Sequence, residues 1–187
     1  MDKVSLLLTL YSIIAGLGIT RLVQGATAMI QARSKLRFYW MHTAWIVIIF
    51  LANILSWFAL LRFATGAHWT VFNAMLTLLM PLVLYVASDL VVPPLDGERR
   101  TDLREYYFHN CRWFAGLLIG FIVISTAVQF AVERQADLSG GGLLRVLTFV
   151  TLVAGVSSRR PAVQATQTLV LLAIGTAGAA LISIRLM

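Results

Sequence analysis

Three ionisable side chains stand inside or at the edge of long apolar runs: Arg21, His42 and Asp89. A charge in hydrocarbon is costly, so each is a candidate for ion or proton handling. In that chemistry Asp89 is the proton or cation site, His42 its titrating neighbour near neutral pH, and Arg21 the counter-charge that sets affinity. The same residues have a plainer use. An Arg and an Asp that meet in low dielectric satisfy each other and clamp two helices, and a long Arg side chain also reaches toward lipid headgroups. Their depths allow a meeting: at 1.5 Å per helical residue, Arg21 lies about 13 Å before Ile30, Asp89 about 6 Å before Pro93, and His42 about 6 Å from the same membrane face.

The elements that must hold these residues follow from composition. Of the 187 residues, 59% are hydrophobic and 12% charged, about half the charge of an ordinary soluble domain. Mean hydropathy is +0.84. The expected fold is all-α, a polytopic transmembrane helix bundle forming one domain over residues 1–187. Its six spans lie at about 4–30, 38–64, 69–92, 106–132, 143–158 and 162–184, set against the roughly 20 residues that one crossing needs. The fifth is short and is followed by Arg159-Arg160-Pro161, so a re-entrant dip competes with a full crossing. Basic loop residues decide between them, because Lys and Arg concentrate on the cytoplasmic side. With six crossings, Arg33, Lys35, Arg37, Arg99, Arg100, Arg104, Arg112, Arg159 and Arg160 share one face, against Lys3, Arg62, Arg134, Arg145 and Arg185 on the other. A re-entrant fifth segment would erase that asymmetry. Six spans with both termini outside, on the periplasmic face, are therefore expected.

Lipid tails do not drive helices together, so small residues that admit close backbone approach take that role. Candidate packing positions are Gly16, Gly18 and Gly25 in the first span, Gly116 and Gly120 in the fourth, and Gly175 with Ala179 in the sixth. Asn53, Asn73 and Gln129 are placed to bridge helices by hydrogen bonds. Pro93-Pro94 and Asp96-Gly97 stop the third helix, while Leu138 to Gly142, ending in three glycines, reads as a hinge or linker.

Other chemistries find no support. Cys111 stands alone, which removes disulfide and CxxC redox chemistry. His109 with Cys111 lacks the further ligands of a zinc site, and only His42 and His109 are even loosely level as haem ligands, His68 belonging to the opposite face. Neither a metal nor a cofactor is expected, nor an enzyme: there is no HExxH, no Ser-His pair at matching depth and no Asp-rich phosphate-metal motif. The net charge of +7 lies in short gaps between apolar runs, which suits anionic lipid headgroups of the bilayer rather than nucleic acid.

Two stretches, Ser12-Ile13-Ile14-Ala15-Gly16-Leu17-Gly18-Ile19-Thr20 and Tyr39-Trp40-Met41-His42-Thr43-Ala44-Trp45, resemble a family of small uncharacterised bacterial integral membrane proteins over about the first third of the chain. The resemblance implies a bacterial inner-membrane setting. It also implies that the two motifs meet around Gly18, Arg21 and His42. Small-residue seams without reactive constellations lead to the expectation of a non-enzymatic accessory or scaffold subunit of a membrane complex, or a homo-oligomer. The alternative is a small oligomeric ion channel or proton-coupled transporter using Arg21, His42 and Asp89.

Overall fold

The computed structural model describes residues 3–64, 69–95, 100–133, 140–158 and 160–186; His68, Asp96, Gly97, Arg99, Arg134, Leu138 and Arg159 lie outside them. Six helices dominate: α1 (Lys3–Gln31), α2 (Trp40–Ala64), α3 (Val71–Val91), α4 (Leu103–Glu133), α5 (Gly140–Ser157) and α6 (Pro161–Leu186). Five of them are long and apolar enough to cross a membrane, whereas α5 is a shorter apolar helix. At 1.5 Å per residue its 18 residues reach about 27 Å.

The glycines at 140–142, expected to form a hinge or linker, are helical and make the first turn of α5. Glycine's low helix propensity is worth only about 1 kcal/mol per residue and yields to tertiary packing, and α5 packs against both α4 and α6. The helix α4 also starts earlier than the apolar pattern implies, at Leu103. The carboxylate of Asp102 accepts the backbone amide of Arg104 at 2.8 Å and so caps the helix.

Between the helices, Arg33–Lys35 form a 3-10 turn that leads into β1 (Leu36–Arg37), which pairs in parallel with β2 (Thr101–Asp102). Leu36 faces Thr101 and Arg37 faces Asp102 in register. The guanidinium of Arg37 donates to Asp102 at 3.3 Å. This clasp ties the α1–α2 connection to the α3–α4 connection, so both lie at one end of the bundle, together with Arg33, Lys35, Arg37, Arg100 and Arg104.

The helices pack as α1 on α2 and α3, α3 on α2 and α4, α4 on α5, and α6 on α2 and α5. Near the clasp, the main core gathers Trp45, Ile49, Leu84, Tyr107, Phe114, Leu152 and Leu171 from five helices. Toward the other end a smaller core joins Tyr11, Ala15, Leu60, Met80 and Val128.

Close approach uses some of the expected small residues and bypasses others. A Cβ on Gly18 would sit 3.0 Å from Asn53 Oδ1 and 3.5 Å from the Cα of Tyr85, and one on Gly175 would sit 3.3 Å from Leu51. A Cβ on Gly25 would overlap the branched side chain of Val92. Ala179 is half-buried on α6. By contrast, none of the described residues lies within 4 Å of a Cβ built on Gly16, Gly116 or Gly120. These three are not where helices of this chain meet, because their helix faces turn outward. Gly155, against Gln167, and Gly178, against Leu55, are the approaches that spacing alone did not single out.

Two outcomes follow. In detergent thermal melts, Gly25→Ala destabilises by about 1–3 kcal/mol, because stiff Val92 cannot yield without strain. Gly16→Ala is neutral or gains up to about 1 kcal/mol of helix propensity; equal losses at the two sites would contradict the packing described. The second concerns pH. The Arg104 amide, helped by Arg37, holds the Asp102 carboxyl below the ordinary Asp range. The folded chain therefore binds that proton less readily than the unfolded chain. The resulting stability is full above the ordinary range and is lost as pH falls through the lowered value. The advantage of the wild type over Asp102→Asn in melting temperature accordingly shrinks on acidification, and a constant difference would refute this.

Candidate intramembrane polar site

The Nε of Arg21 donates to Oδ1 of Asp89 at 2.5 Å, joining α1 to α3. Their side chains are 44% and 53% exposed, so the pair lies on the outside of the α1–α3 pair and not in the bundle interior. Its geometry neutralises two charges within apolar spans while leaving a polar spot on the flank. Asp89 lies about 6 Å from the clasp end of its helix, within reach of headgroup water, and there an ion pair this open is worth at most about 1 kcal/mol.

His42 does not join that pair. It is fully buried and turns to the end of α3, where Nε2 lies 2.9 Å from the carbonyl of Val91. A carbonyl only accepts, so Nε2 carries the hydrogen and Nδ1 presents its lone pair to the interior, without a hydrogen-bond partner among the described residues. Tyr106 of α4 completes the arrangement. Its hydroxyl donates to the Leu90 carbonyl at 2.8 Å, with that of Val92 at 3.4 Å, and its ring meets His42 edge-on with centroids 5.7 Å apart. The last carbonyls of any helix lack intrahelical donors. Here side chains from α2 and α4 supply them at the end of α3, just where Pro93 and Pro94 forbid continuation. Depth arithmetic brings His42 to the level of Asp89 but does not fix which side of α3 it faces.

The three amide residues each link elements. Asn53 Nδ2 donates to Ile49 O at 2.9 Å and to Ser88 Oγ at 3.2 Å, tying α2 to α3 directly beneath Gly18 of α1. Asn73 Nδ2 reaches the Ala131 carbonyl at 3.4 Å, from α3 to α4. Gln129 of α4 accepts from the guanidinium of Arg145 on α5. Trp57 adds a bond from α2 to Ser12 Oγ on α1 at 2.9 Å.

A denser network lies near the clasp end, built on Gln164, Gln167 and Thr168 of α6. Tyr107 donates to Gln164 Oε1 at 2.8 Å. Gln164 Nε2 in turn lies 2.7 Å from both Gly155 O and Ser158 O, closing the end of α5. Trp45 Nε1 donates to Thr168 Oγ1 at 3.2 Å. All of these side chains are buried, and the network draws on α2, α4, α5 and α6. The signal for it was present in the sequence: polar residues at i, i+3 and i+4 on one face of an otherwise apolar helix. Gln167, beside Gly155, is buried with neither amide atom hydrogen-bonded among the described residues.

Among the described residues no three His, Cys, Asp or Glu side chains gather as metal ligands. What the arrangement performs chemically is hydrogen-bond satisfaction and helix registration.

The two polar systems differ in consequence. Gln164→Leu removes the acceptor of the Tyr107 hydroxyl and a donor to two carbonyls, of which that of Gly155 keeps only the Ser158 amide at 3.3 Å, and lowers stability by about 1–3 kcal/mol. Asp89→Asn, half-exposed, costs less than about 1 kcal/mol. Melting of both variants in detergent checks this order, and the reverse order would show the surface pair to be the stronger tie. No known protein family, curated protein or solved structure matches the chain.

Proposed function

We propose that this chain is a six-crossing protein of the bacterial inner membrane, with both termini outside, that works without catalysis as a subunit of a larger membrane assembly. The observation that carries this reading is the outer face of α1. Thr9, Gly16, Thr20, Gln24 and Thr27 recur there at helical spacing, all exposed except half-buried Gly16. Thr9, Thr20 and Thr27 hydrogen-bond back to carbonyls four residues earlier. Gly16 and the three internally satisfied threonines of the row are small enough for a second helix to pack closely in lipid, and the Gln24 amide is able to hydrogen-bond to it. Arg21 and Asp89 flank the row and offer that helix a polar contact.

Six crossings are supported by how α5 is held. Arg145 in its second turn meets Gln129 near the end of α4, and its last carbonyls meet Gln164 and, through it, Tyr107 near the start of α4. The helix therefore runs antiparallel to α4 from one end of the bundle to the other, as a crossing does and a dip does not. The likeness of the two glycine-rich and tryptophan-rich stretches to small bacterial membrane proteins supports the inner-membrane setting. A transport reading gains nothing from the geometry, because Asp89 faces outward and His42 is committed to a helix end.

Native gel sizing in mild detergent tests the assembly. The wild type is expected to migrate well above a single 20.7 kDa chain, and Gly16→Ile with Thr20→Ile to fall to single-chain size while keeping its melting temperature. A wild-type particle that is strictly monomeric, with no copurifying partner, would overturn the proposal.

A further inference from the structure

The end of the bundle remote from the strand clasp contains a cavity of about 860 Å³, within the roughly 300–1,000 Å³ of ordinary ligand pockets. Its walls come from α2, α4, α5 and α6, with Met80 of α3 at one edge. Along α2 it extends from Ile48 to Leu61, about 20 Å at the helical rise. One leaflet of hydrocarbon is about 15 Å thick. The slot is therefore long enough to take the chain region of a single leaflet.

Its lining is apolar in effect as well as in composition. Three hydroxyls reach it, and each donates to a carbonyl of its own helix: Ser56 to Asn53 at 2.8 Å, Ser125 to Ile122 at 2.9 Å and Thr148 to Leu144 at 2.7 Å. A resident water needs two to four polar partners, and with these hydrogens spent on their own helices and Arg145 toward one end, the stretch between offers few of them. Hydrocarbon does not need any.

The charged group of the lining is Arg145, about 7 Å inside the start of α5 by the helical rise, held by Gln129. From that depth a long Arg side chain extends to the headgroup level, where a guanidinium meets phosphate or carboxylate oxygens.

From this shape and polarity we infer that the cavity is a binding site for a membrane lipid: one hydrocarbon chain fills the slot among α2, α4, α5 and α6, and its polar head lies at Arg145. The occupant is a lipid in a built site, distinct from the lipid that coats the outer faces. Nothing in this depends on the assembly proposed above, since the slot lies on the other side of α2 from the row on α1.

Photolabelling tests it. The protein is reconstituted in vesicles of phosphatidylethanolamine and phosphatidylglycerol, each carrying a trace of the same lipid with a diazirine at mid-chain, and labelled peptides are mapped. Labelling is expected to concentrate on wall segments around Leu55, Ile122, Thr148 and Gly175, over the outward face of α3 at Phe72, Met75 and Leu79. Thr148→Phe and Gly178→Leu each fill the slot and are expected to cut wall labelling about tenfold, leaving α3 labelling unchanged. Arg145→Gln lowers wall labelling by the lipid whose head it holds, and the two headgroup arms identify which. Even labelling of walls and α3, or wall labelling that survives both filling variants, would overturn the inference. Should neither variant fold, the wall-to-α3 ratio in the wild type decides alone.

Discussion

Hydrocarbon offers no hydrogen-bond partner, so a polar group this chain carries into its apolar helices gains by finding one within the chain or staying at the edge. That constraint explains which contacts are built with care. The end of α3 is closed by His42 and Tyr106, the end of α5 by Gln164, and the hydroxyls along most helices fold back on their own carbonyls. Amides lie where two or three helices converge, as Asn53 does beneath Gly18. Packing supplies the remainder of the cohesion through Trp45, Tyr107 and Phe114, whose rings cluster near the clasp.

Charge follows the same rule. Arg21 and Asp89 neutralise one another at the bundle's flank, and Arg37 and Asp102 do so at the strand clasp outside the spans. The two pairs lie in different surroundings. One marks a surface that lipid or another helix must meet; the other fixes the start of α4 through the Asp102 cap.

Much of this was readable from the residues, and the reasons for the rest are physical. Apolar run length locates the helices because crossing a bilayer demands it. Residue count along a helix brings Arg21 within reach of Asp89, since rise per residue is nearly constant. Rotation about the helix axis is another matter, and it decides that His42 turns to Val91. Small residues state where backbones are able to approach but not whether a neighbour comes: Gly25 and Gly155 meet side chains, Gly16 and Gly116 meet nothing of this chain. The α6 network is hard to see in the sequence because Gln164, Gln167 and Thr168 look, one by one, like tolerated polar residues. Two-residue strands leave no periodicity to detect, and the cavity is set by how far α5 stands from α2, which no local pattern encodes.

The strand clasp also bears on the order in which the chain assembles during synthesis. Its second half, Thr101–Asp102, emerges only after α1, α2 and α3 are made, so the first helical hairpin waits in the bilayer without its fastening. Once α4 follows, the first four helices close as a unit, and α5 with α6 arrives as a late hairpin docking on an already fastened body. Until that hairpin docks, the walls that α2 and α4 give the slot stand open on the side that α5 and α6 later cover.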